Sequence, residues 1–194
     1  MADSWQILAQ FYAPLPDQYI ELKEGERISI GGDDWRMIVT KGHSPAHVCF
    51  YNEQRQLLIS GDQVLPLISS NVSAIAHRPE ENPLKDWLEG LGRLSDLPAN
   101  TLVLPAHNYP FHGLQRRVQD LVDEHQALLD RILSLLQQPM TVRQLSLLLY
   151  PRAIQGLDLS LANGETLAHL RYLVEQQSVC QMLNDKGQLL FARA

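Results

Sequence analysis

The chain has 194 residues, of which 45% are apolar and 20% are charged, a composition typical of a globular protein and not of a disordered one. Its formal net charge of -6 argues against non-specific binding to nucleic acid or to an anionic membrane. The N-terminus lacks a basic segment followed by an apolar one, and no uncharged apolar run approaches membrane-spanning length, so we expect a cytoplasmic protein without a membrane partner. Its two cysteines, Cys49 and Cys180, lie in dissimilar contexts, which predicts two buried free thiols instead of a disulfide or a zinc site.

The first part of the chain predicts a short helix and then a run of strands. Ser4 can cap a helix that Pro14 and Pro16 bring to an end. Short segments rich in β-branched and aromatic residues follow, and Gly, Asp and Asn turns separate them. They predict a β-meander with one buried face, whose strands cover residues 19–22, 27–30, 35–40, 48–51 and 56–60.

Helical periodicity replaces this pattern from Asn82 onward. Leucines and a tryptophan recur at helical spacing over 84–94, before Pro98 stops the helix. A strand at 101–104 and one long amphipathic helix over 114–137 follow.

The segment after Pro139 has a different order of predicted helices and strands. Thr141 is placed to cap a helix, and the expected order is two helices over 142–149 and 165–173, then a hairpin of strands over 179–183 and 188–192. Helix, helix and hairpin resemble a winged helix. We therefore predict two domains, residues 1–138 and 139–194.

Three short motifs place metal-ligating residue types directly after apolar runs. They are Gly42-His43-Ser44, Gly61-Asp62 and Pro105-Ala106-His107. Imidazole nitrogens and carboxylate oxygens are good zinc donors, and the end of a strand holds a ligand rigidly. Taken singly, each residue could equally cap a turn. Together they predict a metal site made by His43, Asp62 and His107.

These motifs resemble the later metal-binding motifs of the metallo-β-lactamase superfamily. In that resemblance His43 belongs to the Gly-His-Ser loop, Asp62 is the bridging aspartate and His107 is the last histidine. The resemblance implies two zinc ions and hydrolysis of an ester, thioester, lactam or phosphodiester by metal-activated water. The family's earlier H-x-H-x-D-H motif is absent, since no two of the seven histidines are two residues apart.

The resemblance therefore covers a C-terminal portion of the family fold. It implies an α+β chain: the second lobe of an αββα sandwich as a partial metallo-β-lactamase-like domain, then the winged-helix domain that one branch of the family carries. Each zinc ion would keep too few ligands from this chain, so we expect weak zinc binding and little or no hydrolysis by the chain alone. The apolar inner face of the sheet should be covered by a second copy, by the missing N-terminal half, or by the chain's own N-terminal helix.

Other polar residues near the motifs are more typical of structural or surface roles. A lone histidine beside a strand is usually structural, and charged side chains are mostly solvated, although some of these cations could line a pocket for an anionic substrate. These residues are His47, His77, His112, Lys41, Arg78 and Lys85. No catalytic or substrate-binding residue is assigned.

Two alternative functions stay open. The winged helix could bind nucleic acid or a partner protein, with the metal lobe as an inactive scaffold. Residues 139–194 carry five Lys and Arg against four Asp and Glu, and this balance argues against nucleic acid. The chain could instead be an oligomerising fragment whose long helix, residues 114–137, packs on a partner.

Overall fold

The computed structural model describes residues 18–152 and 155–194 of the chain. In these ranges the strands are β1 (Arg27–Ile30), β2 (Asp33–Thr40), β3 (His47–Asn52), β4 (Leu57–Gly61), β5 (Leu102–Pro105), β6 (Val179–Leu183) and β7 (Leu189–Arg193). The helices are α1 (Pro83–Ser95), α2 (Leu114–Leu135), α3 (Val142–Leu149) and α4 (Leu157–Glu175). The helix expected at the N-terminus lies outside the described residues.

Strands β1 to β5 form one sheet in sequence order. β1 to β4 are antiparallel neighbours, whereas β5 pairs with β4 in the parallel direction. The connection from β4 to β5 contains α1, as a parallel pairing requires. Because β4 and β5 run in the same direction, their C-terminal ends lie at the same edge of the sheet.

The helices cover one face of this sheet. Ile38, Cys49 and Leu58 point from adjacent strands into the core, where they join buried residues from all four helices, such as Trp87 on α1 and Leu170 on α4. The parts of the chain before and after residue 139 thus share one hydrophobic core.

The opposite face of the sheet is also apolar. Register pairs Met37 with Phe50 and Phe50 with Ile59, so that these side chains lie on one face together with Leu104. Phe50, Ile59 and Leu104 remain partly exposed to solvent.

Two predictions are wrong. Residues 19–22 form no strand, and Tyr19 and Ile20 are 87% and 81% exposed, because no neighbouring strand pairs with them among the described residues. Cys180 is exposed on β6, whereas Cys49 is buried as expected, and burial raises the pKa of the Cys49 thiol to about 12.

No described helix has the length and apolar character needed to cross a bilayer.

Candidate metal centre

The loop after β2 presents His43 at the sheet edge. Gly42 has φ +101°, and a Cβ there would lie 2.4 Å from the Pro83 carbonyl oxygen and from Trp87 Cβ, so only glycine fits this close approach to α1. The Nδ1 atom of His43 lies 2.9 Å from the carbonyl oxygen of Asn71. Since a carbonyl oxygen can only accept, Nδ1 carries the proton and Nε2 of the neutral ring offers a free lone pair.

Asp62 follows directly on β4. Its backbone N–H donates to Nε2 of His47 at 3.2 Å, and its carbonyl oxygen accepts a hydrogen bond from the Ser70 hydroxyl. Gly61 has φ +53°, and a Cβ there would lie 2.5 Å from the His47 ring. The backbone of Asp62 is therefore held on both sides, while its carboxylate is left for other contacts.

His107 reaches the same point from β5. The Ala106 N–H donates to the Gly61 carbonyl oxygen at 2.9 Å, which fixes the end of β5 against the end of β4. The His107 side chain is 62% exposed, so it lies at the rim of the site.

The structure brings the three predicted ligands together around the Asp62 carboxylate. Oδ2 lies 3.6 Å from His43 Nε2, and Oδ1 lies 3.2 Å from His107 Nε2. Two donors on the same tetrahedral zinc ion, each about 2.1 Å from it, lie about 3.4 Å apart. Both pairs thus have the spacing of two ligands on one ion, with a different carboxylate oxygen facing each histidine.

This donor set fits part of a zinc centre. In the described ranges, 18–152 and 155–194, no group of three or more His, Cys, Asp or Glu side chains is arranged to hold a single ion. Among the described residues, His43 and His107 each pair with one oxygen of Asp62, which gives two donors at each of two places, whereas a protein-bound zinc ion usually takes three or four protein donors.

His47 supports this arrangement instead of extending it. Its Nε2 accepts the Asp62 N–H, and its Nδ1 lies 3.4 Å from the Thr40 hydroxyl. Burial, together with the nearby His43, lowers the pKa of His47, so the neutral ring that this contact needs is favoured. Spacing along the sequence gave no sign of the roles of His47, Ser70 or Asn71. His47 and Ser70 contact backbone atoms of Asp62, and Asn71 contacts His43 through its own backbone carbonyl oxygen, so none of these contacts depends on a side-chain pattern in the sequence.

A cavity of about 280 Å³ adjoins His43. Lys41 and Arg78 line it, but so do Glu81 and Asp86, and Arg78 pairs with Glu81 at 3.0 Å. The charges in this cavity are balanced and do not select an anionic substrate. The remaining cation considered from the sequence, Lys85, lines a separate cavity and pairs with Glu175.

Two other histidines, His77 and His112, are exposed at the surface. His125 and His169 are buried and form a hydrogen-bonded pair between α2 and α4, with 2.9 Å between Nδ1 of His125 and Nε2 of His169. The sequence indicated helix positions for these two residues but not their contact.

Known proteins resemble the chain over both of its parts. The family model described as the metallo-beta-lactamase superfamily matches residues 2–107, more than half of the chain, and the one described as the metallo-beta-lactamase-like C-terminal domain matches residues 129–194. The structure of a beta-lactamase domain protein from Burkholderia ambifaria superposes with a TM-score of 0.87 at 37% identity, covering 93% of this chain and 54% of that one.

Curated relatives include a probable metallo-hydrolase, YqjP, from Bacillus subtilis (strain 168), which is 28% identical over 81% of this chain and 50% of its own length. A hydroxyacylglutathione hydrolase from Cereibacter sphaeroides (strain ATCC 17025 / ATH 2.4.3) is 30% identical over 49% of this chain and 34% of its own length. The chain thus spans between a third and a half of these curated relatives. It belongs to the metallo-beta-lactamase superfamily.

Proposed function

We propose that the chain forms part of a zinc-dependent hydrolase, with His43, Asp62 and His107 as metal ligands. The observation that carries this proposal is the position of the Asp62 carboxylate, whose two oxygens lie 3.6 Å and 3.2 Å from the Nε2 atoms of His43 and His107. Without metal, His43 would have to be a charged imidazolium to donate to Asp62, because its Nδ1 already carries the proton that Asn71 accepts, whereas His107 could donate from Nε2 in a neutral ring. The Asn71 carbonyl at His43 Nδ1 favours the ligand assignment, because it leaves Nε2 free in the neutral ring.

Zinc, when bound, supplies a Lewis acid that polarises an oxygen of the substrate and makes water a better nucleophile at neutral pH. The residues of this chain would hold and orient the ions. Asp62 would bridge the two positions, and His43 would be kept in its ligating tautomer by Asn71. His107 would ligate from the exposed rim of the site.

A thioester or ester is the first substrate class to assay. The Cereibacter relative is named for hydrolysis of a hydroxyacylglutathione, and members of the fold family act on other acyl and phosphoryl compounds as well, so lactams and phosphodiesters follow. Because each zinc position receives two donors from the described residues, we expect the chain alone to bind zinc weakly and to hydrolyse slowly or not at all.

The missing donors would come from the other lobe of the sandwich, packed on the apolar sheet face that carries Phe50, Ile59 and Leu104. Without that lobe, a second copy should cover the face, since a monomer rarely exposes a large apolar patch. Light scattering on the purified chain should give a dimer or larger species, and Phe50→Lys should reduce it to a monomer. A wild-type chain that is monomeric at all concentrations would contradict this.

The C-terminal part is proposed to be a winged helix that forms a wall of the substrate cleft. Met140, just before α3, forms an isolated β-bridge with Phe191 of β7, so that this segment contacts the β6–β7 hairpin that follows α4. The alternative, nucleic-acid binding, would need an accessible helix. All six residues from Thr166 to Arg171 on α4 are buried, so this helix has no free face along that stretch.

Zinc titration tests the central proposal. The wild-type chain should bind zinc, and His43→Ala or Asp62→Ala should weaken binding at least about tenfold because each removes one of few donors. His112→Ala is the matched control, since His112 is exposed and outside the site. Binding that is unchanged in both ligand variants, or equally reduced in the control, would refute the assignment.

A further inference from the structure

A chain of buried hydrogen bonds leads from α4 toward the candidate metal centre. His169 on α4 and His125 on α2 are 0% and 3% exposed, and their rings are nearly parallel, with 13° between their planes and centroids 5.0 Å apart. Nε2 of His125 lies 2.9 Å from the hydroxyl oxygen of Ser69, in the segment that follows Asp62. The chain therefore connects the C-terminal part to the loop beside the site.

The proton positions in this chain follow from the acceptor at its far end. Nδ1 of His169 lies 2.8 Å from the carbonyl oxygen of Glu165, which can only accept, so Nδ1 carries the proton. In a neutral ring Nε2 of His169 must then accept from Nδ1 of His125, 2.9 Å away. Nε2 of His125 is left as an acceptor. The Ser69 hydroxyl donates to it at 2.9 Å, a shorter distance than the 3.2 Å to its other nearby acceptor, the Ser70 carbonyl oxygen. Burial favours neutral rings and lowers the pKa of both histidines to about 4.

The segment that Ser69 begins contacts two candidate ligands. The next residue, Ser70, donates its hydroxyl to the Asp62 carbonyl oxygen, and Asn71 accepts the Nδ1 proton of His43 at 2.9 Å. Three consecutive residues thus join the buried pair to the backbone of one ligand and the ring of another. A hydrogen bond is directional, so the Ser69 contact fixes the position of this segment along the chain as well as its distance from α2.

We propose that His125 and His169 are positioning residues for the metal centre, acting through the segment from Ser69 to Asn71. The inference rests on the proposed function, because it requires that His43 and Asp62 bind metal. It gives the C-terminal part a second role besides enclosing the cleft: through His169 on α4, this part holds two metal ligands of the first part in register.

The test compares zinc affinity in variants that remove hydrogen bonds of this chain. Ser69→Ala deletes the hydroxyl and leaves no large cavity, and it should weaken zinc binding about tenfold, as is typical when a group that orients a metal ligand is lost. Ser146→Ala is the control, because it makes the same Ser-to-Ala change on α3, at a buried hydroxyl that has no hydrogen-bond partner in the described part of the chain. It should leave the affinity unchanged.

Two substitutions at His125 distinguish a variant that keeps the hydrogen bond to Ser69 from one that loses it. His125→Gln can place an amide oxygen where Nε2 was and still accept from Ser69, whereas His125→Asn places its amide at the Nδ1 position and loses Ser69. Zinc affinity should fall more in the Asn variant than in the Gln variant. Circular dichroism selects conditions in which every variant is folded, so a loss of affinity is not a loss of fold.

Nitrogen-15 spectra of the histidine rings give a readout that needs no metal. Both rings should be neutral at pH 7 with the proton on Nδ1, and a proton on Nε2 of either ring would overturn the inference. So would a Ser69→Ala variant that binds zinc as tightly as Ser146→Ala while the wild type binds it. If the wild-type chain binds no zinc at all, the proposed function fails first and this inference falls with it.

Discussion

Acid should destabilise this protein in a window set by the buried histidine pair. The pKa of His125 and of His169 is lowered from the ordinary 6.5 to about 4, mainly by burial. The unfolded chain therefore binds more protons than the folded one between these two values, and stability falls as the pH drops from about 6.5 toward 4. Between pH 7 and pH 5, one such histidine lowers the free energy of unfolding by about 2 kcal/mol, and two lower it by about twice that.

Urea denaturation followed by tryptophan fluorescence measures this directly, because the indole of Trp87 lies 4.8 Å from the His125 ring, centroid to centroid. Most carboxylates with ordinary pKa values titrate below pH 5 and contribute little in this window. Glu165 acts in the opposite direction, since burial raises its pKa and its protonation favours the folded state. His47, whose pKa burial also lowers, acts in the same direction as the pair, so the contribution of the pair is read from the His169→Gln variant and not from the total loss.

The attribution to the buried pair can be refuted. His169→Gln should be less stable than the wild type at pH 7 but should lose less stability on acidification, because one of the two titrating groups is gone. His112→Gln, at the surface, should keep the wild-type dependence on pH. Equal stability of the wild type at pH 7 and pH 5, or an equal change of slope in both variants, would show that the pair is not the origin.

Two further substitutions test how the site and the C-terminal part are built. Gly42→Ala should lower the free energy of unfolding by about 2–4 kcal/mol in thermal or urea denaturation, because it combines a positive φ with a Cβ that meets the backbone of Pro83. It should also weaken zinc binding, because it displaces His43. A variant as stable as the wild type would refute the close approach to α1. Thr141→Ala removes a capping box in which the Thr141 hydroxyl and the Gln144 side chain each bond the other's backbone N–H, and it should cost about 1 kcal/mol, measured in the same way with Ser134→Ala as an exposed control.

The sequence predicted most of the fold where local pattern and burial agree. The strands at 27–30, 35–40, 48–51 and 56–60 match β1 to β4 within two residues at each end, and the helix expected at 114–137 is α2. The segment at 19–22 misled because its aromatic and β-branched residues have strand propensity but no pairing partner in the described structure.

Helix α4 shows why boundaries were harder to predict. It begins at Leu157, eight residues before the predicted start, and Asn163 and Gly164 lie inside it. Glycine weakens a helix locally, which argues against helix in a single sequence. Here Gly164 is explained by packing, since a Cβ would lie 2.7 Å from the Ser73 hydroxyl, and its carbonyl oxygen accepts the Ala74 N–H. A tertiary contact of this kind leaves no periodic signal.

In the candidate metal centre, too, some residues could be predicted from the local sequence pattern and others are placed by tertiary contacts. The convergence of His43, Asp62 and His107 could be predicted because each follows an apolar strand, and strand ends converge at one edge of a sheet; their role as metal ligands stays a prediction. Asn71 and Ser70 could not, because they lie in an irregular segment and act through contacts that depend on its exact path.

The buried histidine pair is linked to the candidate ligands through the segment from Ser69 to Asn71. Two apolar side chains at the positions of His125 and His169 would pack α2 on α4 without the desolvation that lowers the pKa of both rings. Apolar packing, however, tolerates small sliding of a loop, whereas the bond from Ser69 to His125 is satisfied at one position only. Because Ser70 and Asn71 follow immediately, any slide of the segment would move a partner of Asp62 and of His43 together. On the proposal that His43 and Asp62 bind metal, a hydrogen-bonded polar pair at this place in the core would exchange some stability at low pH for a fixed geometry of these two residues.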